Sequence, residues 1–341
     1  MKQEKRNHIE TNPVLEDITR TVLYEGYSLF PYHRGALKNQ KPIPFGVVFP
    51  EAYTVYNPHA HSCSQTECII TGTEDAFVNI TVRFLHLLKT KIENTTKGNG
   101  TDQPNSEISP VKGWQTIERK ISSGPLSIPQ LTKKTKVIPV AFGKLNENKI
   151  MTYDNANAKQ LTVASALNGS ISISAVCIRK NTYRITVRIC NTTSIKDASK
   201  KTRDEVLSQS FLSTHTILNV EKAEFISSQN PGDAWKNFTD ECVNINSWPI
   251  LIDEHNHTML SSPIILYDHP KINPQSSGDL FDSTEIEEAL LLHVAMLSPG
   301  EKRSIAASDE KLNAMLTRVG QVTPEELMRF HSGLKDIYND Q

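Results

Sequence analysis

The residues best suited to chemistry in this chain form a short histidine and cysteine cluster: His59, His61, Cys63 and Cys68. Imidazole and thiolate groups are the ligands that zinc and other soft divalent metals prefer. In an extended strand, positions 59, 61 and 63 would lie on one face. Pro58 and the polar neighbours favour a surface loop instead, in which the histidines are incidental and Cys68 enters a buried strand. The sequence leaves both interpretations open.

A second group of ionisable side chains is crowded between positions 268 and 285: Asp268, His269, Asp279, Asp282 and Glu285. Carboxylates beside a histidine could hold a divalent cation or act as general acid and base. Turn formation by aspartate and capping of a helix that begins near position 283 explain the same residues without a ligand. We favour the second explanation, and we predict no catalytic residue and no cofactor other than this possible divalent metal.

Several classes of function are disfavoured. The sequence contains no phosphate-binding glycine loop, no G-x-G-x-x-G dinucleotide motif, no G-x-S-x-G nucleophile elbow and no H-E-x-x-H metalloprotease motif. The 37 basic and 38 acidic side chains leave a formal net charge of −1. Because binding to phosphate groups requires a clear basic excess, nucleic acid is not expected as the main partner.

The cysteines and the apolar runs predict a cellular location. Residues 1–8 are charged and no apolar signal core follows them, and no run approaches the ~20 apolar residues that cross a bilayer. We therefore expect a cytoplasmic protein without membrane insertion, whose five cysteines are reduced. Cys177 and Cys190 lie on two predicted strands, close to paired register, so a cross-strand contact between them is one interpretation. We favour small core residues instead, because thiols stay reduced in the cytosol.

The clearest structural signal is a β-hairpin. Residues 170–178 and 183–190 both alternate apolar and polar positions and are rich in β-branched side chains, with a turn between them. Alternation also predicts a strand at 76–85, and the polar stretch 89–109 predicts a loop. Paired strands with long return connections are typical of antiparallel sandwiches.

Later segments complete the predicted body and its cap. We expect a short helix at 204–210, a strand at 211–220 followed by a second apolar stretch at 224–226, and a strand at 248–252 that Pro249 places at a sheet edge. From residue 283 onward, apolar side chains recur at helical spacing, and two or three helices are expected there.

The predicted fold is therefore α+β, with a mainly antiparallel β-sandwich-like body and a C-terminal helical cap. We divide the chain into a flexible N-terminal arm at 1–20, a β-rich body at 21–260, and a connecting segment with the C-terminal helices at 261–341. These parts are expected to form one structural unit.

A segment near the start of the body mixes aromatic and basic side chains: Phe30, Tyr32, Arg34 and Lys38. Aromatic residues and arginine are the residue types that protein interfaces favour. The same aromatic side chains could instead close the end of the sheet. The sequence supports partner binding and sheet closure equally.

Six segments carry a resemblance to a known family: Phe30–Asn39, Phe45–Pro50, Gln65–Cys68, Ser213–Leu218, Trp248–Leu251 and Ser261–Ile286. Together they resemble uncharacterised bacterial proteins that tend to be encoded in gene clusters of uptake [NiFe]-hydrogenases. The resemblance extends from about residue 20 to 335. It implies association with hydrogenase assembly, maturation or structure, through gene context, and it assigns no catalytic residue.

Two hypotheses of function follow. The first is a non-catalytic accessory or assembly protein that binds [NiFe]-hydrogenase subunits or maturation proteins, and it predicts an exposed apolar or aromatic patch. The second is a metal-binding protein or metal-dependent enzyme that uses the cluster at 59–68 or the carboxylates at 268–285, and it predicts that those side chains converge on one point.

Overall fold

The structure, a computed structural model, describes residues 15, 16, 18, 19, 45–94, 115–153 and 156–270. The strands within them are β1 (Cys63–Asn94), β2 (Gln115–Ser127), β3 (Lys136–Phe142), β4 (Leu145–Tyr153), β5 (Ala156–Ala164), β6 (Leu167–Arg179), β7 (Thr182–Asn191), β8 (Leu212–Phe225), β9 (Trp248–Leu251) and β10 (Thr258–Ser262). The short helices are α1 (Glu51–Thr54), α2 (Ile128–Leu131), a 3-10 helix (Ala198–Lys200), α3 (Arg203–Leu207) and α4 (Lys236–Asp240).

All ten strands belong to one sheet, and all its paired strands are antiparallel, which confirms the predicted β-rich fold class. The main strand order is β3-β6-β7-β1-β8-β10-β9, while β2 and β5 pair with further lengths of β1, and β4 pairs with β5. Val140 of β3 and Leu251 of β9 come from opposite ends of this order, yet both belong to one buried hydrophobic cluster. The sheet therefore folds over itself around a shared core, as a sandwich-like body requires.

The predicted hairpin is confirmed as β6 and β7. Alternate residues such as Ile171, Ile173 and Ile185 are buried, as a strand with one face on the core requires. Lys180 and Asn181 form the turn, where Asn181 has φ 59°. Asparagine is among the residues that tolerate this left-handed conformation best.

Strand β1 connects the parts of the sheet. One edge of β1 pairs with β7 and then β2, while the other edge pairs with β8 and then β5. It contains the predicted strand 76–85, but the loop predicted from Lys89 is wrong at its start, because 89–94 continue β1 against β5. The side chains at 89–94 do not alternate as those of a strand do. The backbone hydrogen bonds that pair this part of β1 with β5 can form with any side chains. The rest of that predicted loop, 95–109, lies outside the described residues.

The other predicted elements of the body are found close to their expected positions. The helix expected at 204–210 is α3, and the two stretches expected at 211–220 and 224–226 join as the single strand β8. The strand with Pro249 is β9, which lies at one end of the strand order, as predicted. No helix among the described residues is long and apolar enough to cross a bilayer.

The main core is filled by even-numbered side chains of β1, including Val78, Val82 and Phe84. Gly169 of β6 allows another part of the chain to approach closely. A Cβ atom at this position would lie 2.3 Å from the carbonyl oxygen of Cys190 and 2.8 Å from the ring of Phe211. A larger residue at position 169 would push β6 away from β7.

Part of the opposite face of β1 is covered by the N-terminal segment. Arg83 is buried there, and it donates to Glu118 Oε1 at 2.8 Å and to Glu16 Oε2 at 2.9 Å. Ile18 is fully buried in a cluster with side chains of β8, β9 and β10. Residues 15, 16, 18 and 19, within the segment predicted as an N-terminal arm at 1–20, are therefore helical and packed against the sheet. The remainder of that arm lies outside the described residues.

The prediction that all five cysteines are reduced is wrong, because Cys63 and Cys190 form a disulfide. They lie directly opposite each other in β1 and β7, with Cα atoms 4.1 Å apart. Cys177 and Cys190 do not meet across the hairpin, since the tight turn pairs Cys177 with Tyr183. Cys177 is also exposed, unlike the small core residue that was favoured for this position. The free thiols are Cys68, Cys177 and Cys242.

The predicted helical cap and its connecting segment lie mostly beyond Pro270, outside the described residues, as do residues 21–44 of the predicted body. The cap and the division into segments therefore stay predictions.

Candidate partner-binding surface

The predicted histidine and cysteine metal site is not formed. The sulfur of Cys63 is bonded to Cys190 and is no longer a thiolate ligand. Cys68 lies on the opposite face of β1, in the main core, where burial raises the pKa of its thiol far above the usual value. His59 and His61 are exposed before β1. Among the residues that the structure describes, no three His, Cys, Asp or Glu side chains are placed to hold a metal ion.

Asp268, from the second predicted group, stabilises the backbone instead of a ligand. Its Oδ1 accepts a hydrogen bond from the Leu251 backbone N–H at 2.8 Å, and its Oδ2 accepts one from Ser227 Oγ at 2.5 Å. The favoured interpretation of Asp268 as a structural aspartate agrees with these contacts. The remaining predicted carboxylates and the predicted partner-binding residues lie outside the described residues: Asp279, Asp282, Glu285, Phe30, Tyr32, Arg34 and Lys38.

Three large apolar side chains are exposed along the β9 edge of the sheet, and we call them the β9 strip. Trp248 is 41% exposed, Ile265 is 72% exposed and Tyr267 is 84% exposed. Ser262 lies opposite Trp248, and the His269 backbone N–H donates to the Leu251 carbonyl, so residues 263–268 run beside β9. Large apolar residues exposed along one sheet edge are candidates for a binding surface.

Alternation along residues 264–267 explains why Ile265 and Tyr267 are exposed. Ile264 and Leu266 pack against the cluster that contains Ile18, whereas Ile265 and Tyr267 are exposed. In an extended chain, neighbouring side chains point to opposite sides, so burial of one pair turns the other pair outward. Burial of the inner pair also fixes the backbone that carries the outer pair.

Hydrogen bonds and a close contact anchor this segment at both ends. Gln229 Nε2 donates to the Leu266 carbonyl oxygen at 2.6 Å, one residue before Tyr267, and Asp268 is tied to β9. At the other end, Pro263 lies against Gly46, where an added Cβ would be only 2.3 Å from the proline Cβ. Gly46 has φ +52°, a conformation that glycine adopts without strain. An anchored strip loses little conformational entropy when a partner binds.

The outer edge of β9 offers few backbone groups to another strand. Pro249 has no N–H group, and the N–H and carbonyl groups of Leu251 are taken by Asp268 and His269. Covered edges of this kind disfavour strand addition. A partner at this edge would therefore be recognised through the side chains of the β9 strip.

Two other groups with shifted pKa values lie away from the strip. Burial in the sheet, reinforced by the nearby charge of Arg83, lowers the pKa of His215 to about 4, so its ring is neutral near pH 7. His215 Nδ1 donates to the Ser213 carbonyl oxygen at 2.9 Å. Burial raises the pKa of Cys242 to about 11, which keeps this thiol protonated and poorly nucleophilic.

The strip residues were not predicted as a site, although the sequence contained a signal for them. The run at 263–267 is rich in apolar side chains, and in an extended chain its neighbouring residues point to opposite sides, so only one of its two faces can be buried against the core. What the sequence lacked was the position of Trp248 beside this run, which depends on the pairing of β9 with β10.

Comparison of the chain with models of protein families, with curated proteins and with solved structures finds no match.

Proposed function

We propose that this protein is a non-catalytic accessory protein that binds another protein through the β9 strip. The observation that supports this proposal is Tyr267, which is 84% exposed although the residues on both sides of it are anchored. Tyrosine and tryptophan are favoured at interfaces because they bury a large area with few rotatable bonds. Burial of such side chains against a partner removes apolar surface from water, which stabilises the complex.

The partner in this proposal is a [NiFe]-hydrogenase subunit or one of its maturation proteins, and the protein acts in hydrogenase assembly. Support comes from the resemblance to proteins encoded beside uptake hydrogenases. All three strip residues lie within segments that carry this resemblance, namely 248–251 and 261–286.

Photo-crosslinking tests the partner. A photoreactive phenylalanine analogue replaces Tyr267 in the full-length protein, in cells that make the hydrogenase, and Tyr56 provides the matched control because it is 60% exposed but distant in sequence and outside the strip. We expect a crosslink to a hydrogenase subunit or maturation protein from position 267 and none from position 56. Crosslinks from position 267 only to the same chain, or equal crosslinks from both positions, would contradict the proposal.

A pair of substitutions tests whether the contact matters for assembly. Tyr267→Ser should weaken co-purification with the partner at least tenfold, since interface anchors contribute about 2 kcal/mol or more. It should also slow processing of the hydrogenase large subunit. Tyr56→Ser should change neither. Normal processing in a Tyr267→Ser strain would refute a role in maturation.

A cytoplasmic location is the remaining part of the proposal, and the disulfide makes it testable. Disulfides persist in oxidising compartments and are uncommon in the cytosol. Acid quenching of cells, followed by alkylation under denaturing conditions, counts the thiols: modification of all five cysteines would mean that the Cys63–Cys190 disulfide is reduced in the cell, as a cytoplasmic location requires. Modification of Cys68, Cys177 and Cys242 alone would place the protein in an oxidising compartment.

A further inference from the structure

Arg119 is a half-buried cation with an aromatic floor. It lies in β2 opposite Phe84 of β1, and its guanidinium carbon is 4.5 Å from the centroid of the Phe142 ring. The rings of Phe84 and Phe142 contact each other edge to face, with centroids 5.9 Å apart. Arg119 Nε is completely covered and makes no hydrogen bond to any described residue. None of the ion pairs within the described parts of the chain includes Arg119.

His86 positions this guanidinium group. Its Nδ1 lies 3.3 Å from Arg119 Nη2. Because a guanidinium nitrogen only donates, Nδ1 must accept, and the ring proton must reside on Nε2. Burial and the charge of Arg119 lower the pKa of His86 to about 4, although its interaction with the Ser165 backbone opposes this shift. The neutral ring is therefore maintained as an acceptor near pH 7.

Arg83 is a second buried cation of the β1–β2 pair, on the opposite face from Arg119. Arg83 contacts the carboxylates of Glu118 and Glu16. A buried charge without a partner is costly, and proteins normally supply an opposite charge with matching hydrogen bonds. Arg119 has the neutral His86 and an aromatic ring, but among the described residues it has no counter-charge.

We propose that Arg119 is the anchor of a carboxylate-binding site, with Phe142 as its floor and His86 as the residue that orients the guanidinium group. The planar fork of arginine matches the two oxygens of a carboxylate. Because Nε is covered, a carboxylate would meet the two Nη groups at the end of this half-buried side chain. The carboxylate belongs either to a small organic acid or to a peptide, since both present the same group. This site is separate from the β9 strip and does not depend on the proposed function.

The test follows the side-chain Nε–H signal of Arg119 in the full-length, isotope-labelled protein by NMR. The signal is assigned by its loss in Arg119→Lys. Sodium acetate and a short acetylated peptide with a free C-terminal carboxylate are titrated separately, against sodium chloride at equal ionic strength. We expect a saturable shift with the carboxylates and none with chloride. Tighter binding of the peptide identifies a peptide carboxylate as the ligand, whereas equal affinities identify a small organic acid.

Variants separate a binding role from a structural one. The binding of acetate, followed by a nearby backbone amide, should weaken at least about tenfold in Arg119→Lys, which keeps the charge but loses the fork. His86→Asn keeps a hydrogen-bond acceptor and should retain binding better than His86→Leu. A saturating shift that chloride reproduces, or no saturable shift in a folded wild-type protein, would overturn the proposal.

Discussion

Removal of the Cys63–Cys190 disulfide should destabilise the protein strongly without changing its fold. The bond joins residues 127 positions apart, so it restricts a very large loop of the unfolded chain. The loop-entropy relation gives about 5 kcal/mol at 25 °C for a loop of this size, and measured losses for native disulfides are about 2–5 kcal/mol. The ladder from Cys63 to Thr71 of β1 still pairs with β7, and its backbone hydrogen bonds should keep the register of the two strands.

Urea unfolding followed by tryptophan fluorescence measures this loss. The double variant Cys63→Ser, Cys190→Ser should unfold at a lower urea concentration than the oxidised wild type, and its circular dichroism should retain the β-sheet signal. Cys177→Ser is the matched control, because Cys177 is an exposed free thiol. A reductant should bring the wild type down to the midpoint of the double variant and leave that variant unchanged. Equal midpoints for the oxidised wild type and the double variant would refute the reasoning.

Three further outcomes are expected from substitutions at His215, Asp268 and Gly169. The pKa of His215 is about 4 in the folded state and near 6.5 when unfolded, so stability on the order of 3 kcal/mol should be present above pH 6.5 and lost as the pH falls towards 4. Urea midpoints across this range should fall less in His215→Asn than in the wild type. Asp268→Ala removes the bonds to Leu251 and Ser227 and should cost about 2 kcal/mol, with faster amide exchange at Leu251 as the readout; unchanged exchange would contradict the anchoring role. Gly169→Ala should lower the melting temperature by an amount equivalent to about 2 kcal/mol or more, whereas Gly143→Ala, where an added Cβ meets nothing within 4 Å, should be nearly neutral.

Alternation and turn residues within short segments predicted the elements that pair with their neighbours in the sequence. The hairpin of β6 and β7 was predictable because both strands alternate and a two-residue turn joins them. The full length of β1 was not, because its polar end at 89–94 is paired with β5, which lies far along the chain. The disulfide was missed for the same reason: only the pairing of β1 with β7 places Cys63 opposite Cys190.

The sequence predicted that an apolar surface would be exposed, but it did not predict which of the described residues form that surface. An exposed apolar patch was expected from the hypothesis of an accessory protein, and it was assigned to aromatic residues at 30–38, which lie outside the described residues. The β9 strip consists of Trp248, Ile265 and Tyr267, and two strand-edge contacts place these residues along the same edge of the sheet. The order in which strands pair is set by packing of the whole body, which short-range patterns do not specify.

The length of β1 also constrains how the protein folds during its synthesis. Its partners β2, β5, β7 and β8 all follow it in the chain, and β8 ends at Phe225. During synthesis, β1 therefore leaves the ribosome long before the strands that complete its edges. Its apolar residues would then depend on chaperones to prevent association with other nascent chains. Ribosome-bound fragments that end before residue 225 should accordingly be protease-sensitive, and protection should arise only after β8 has emerged.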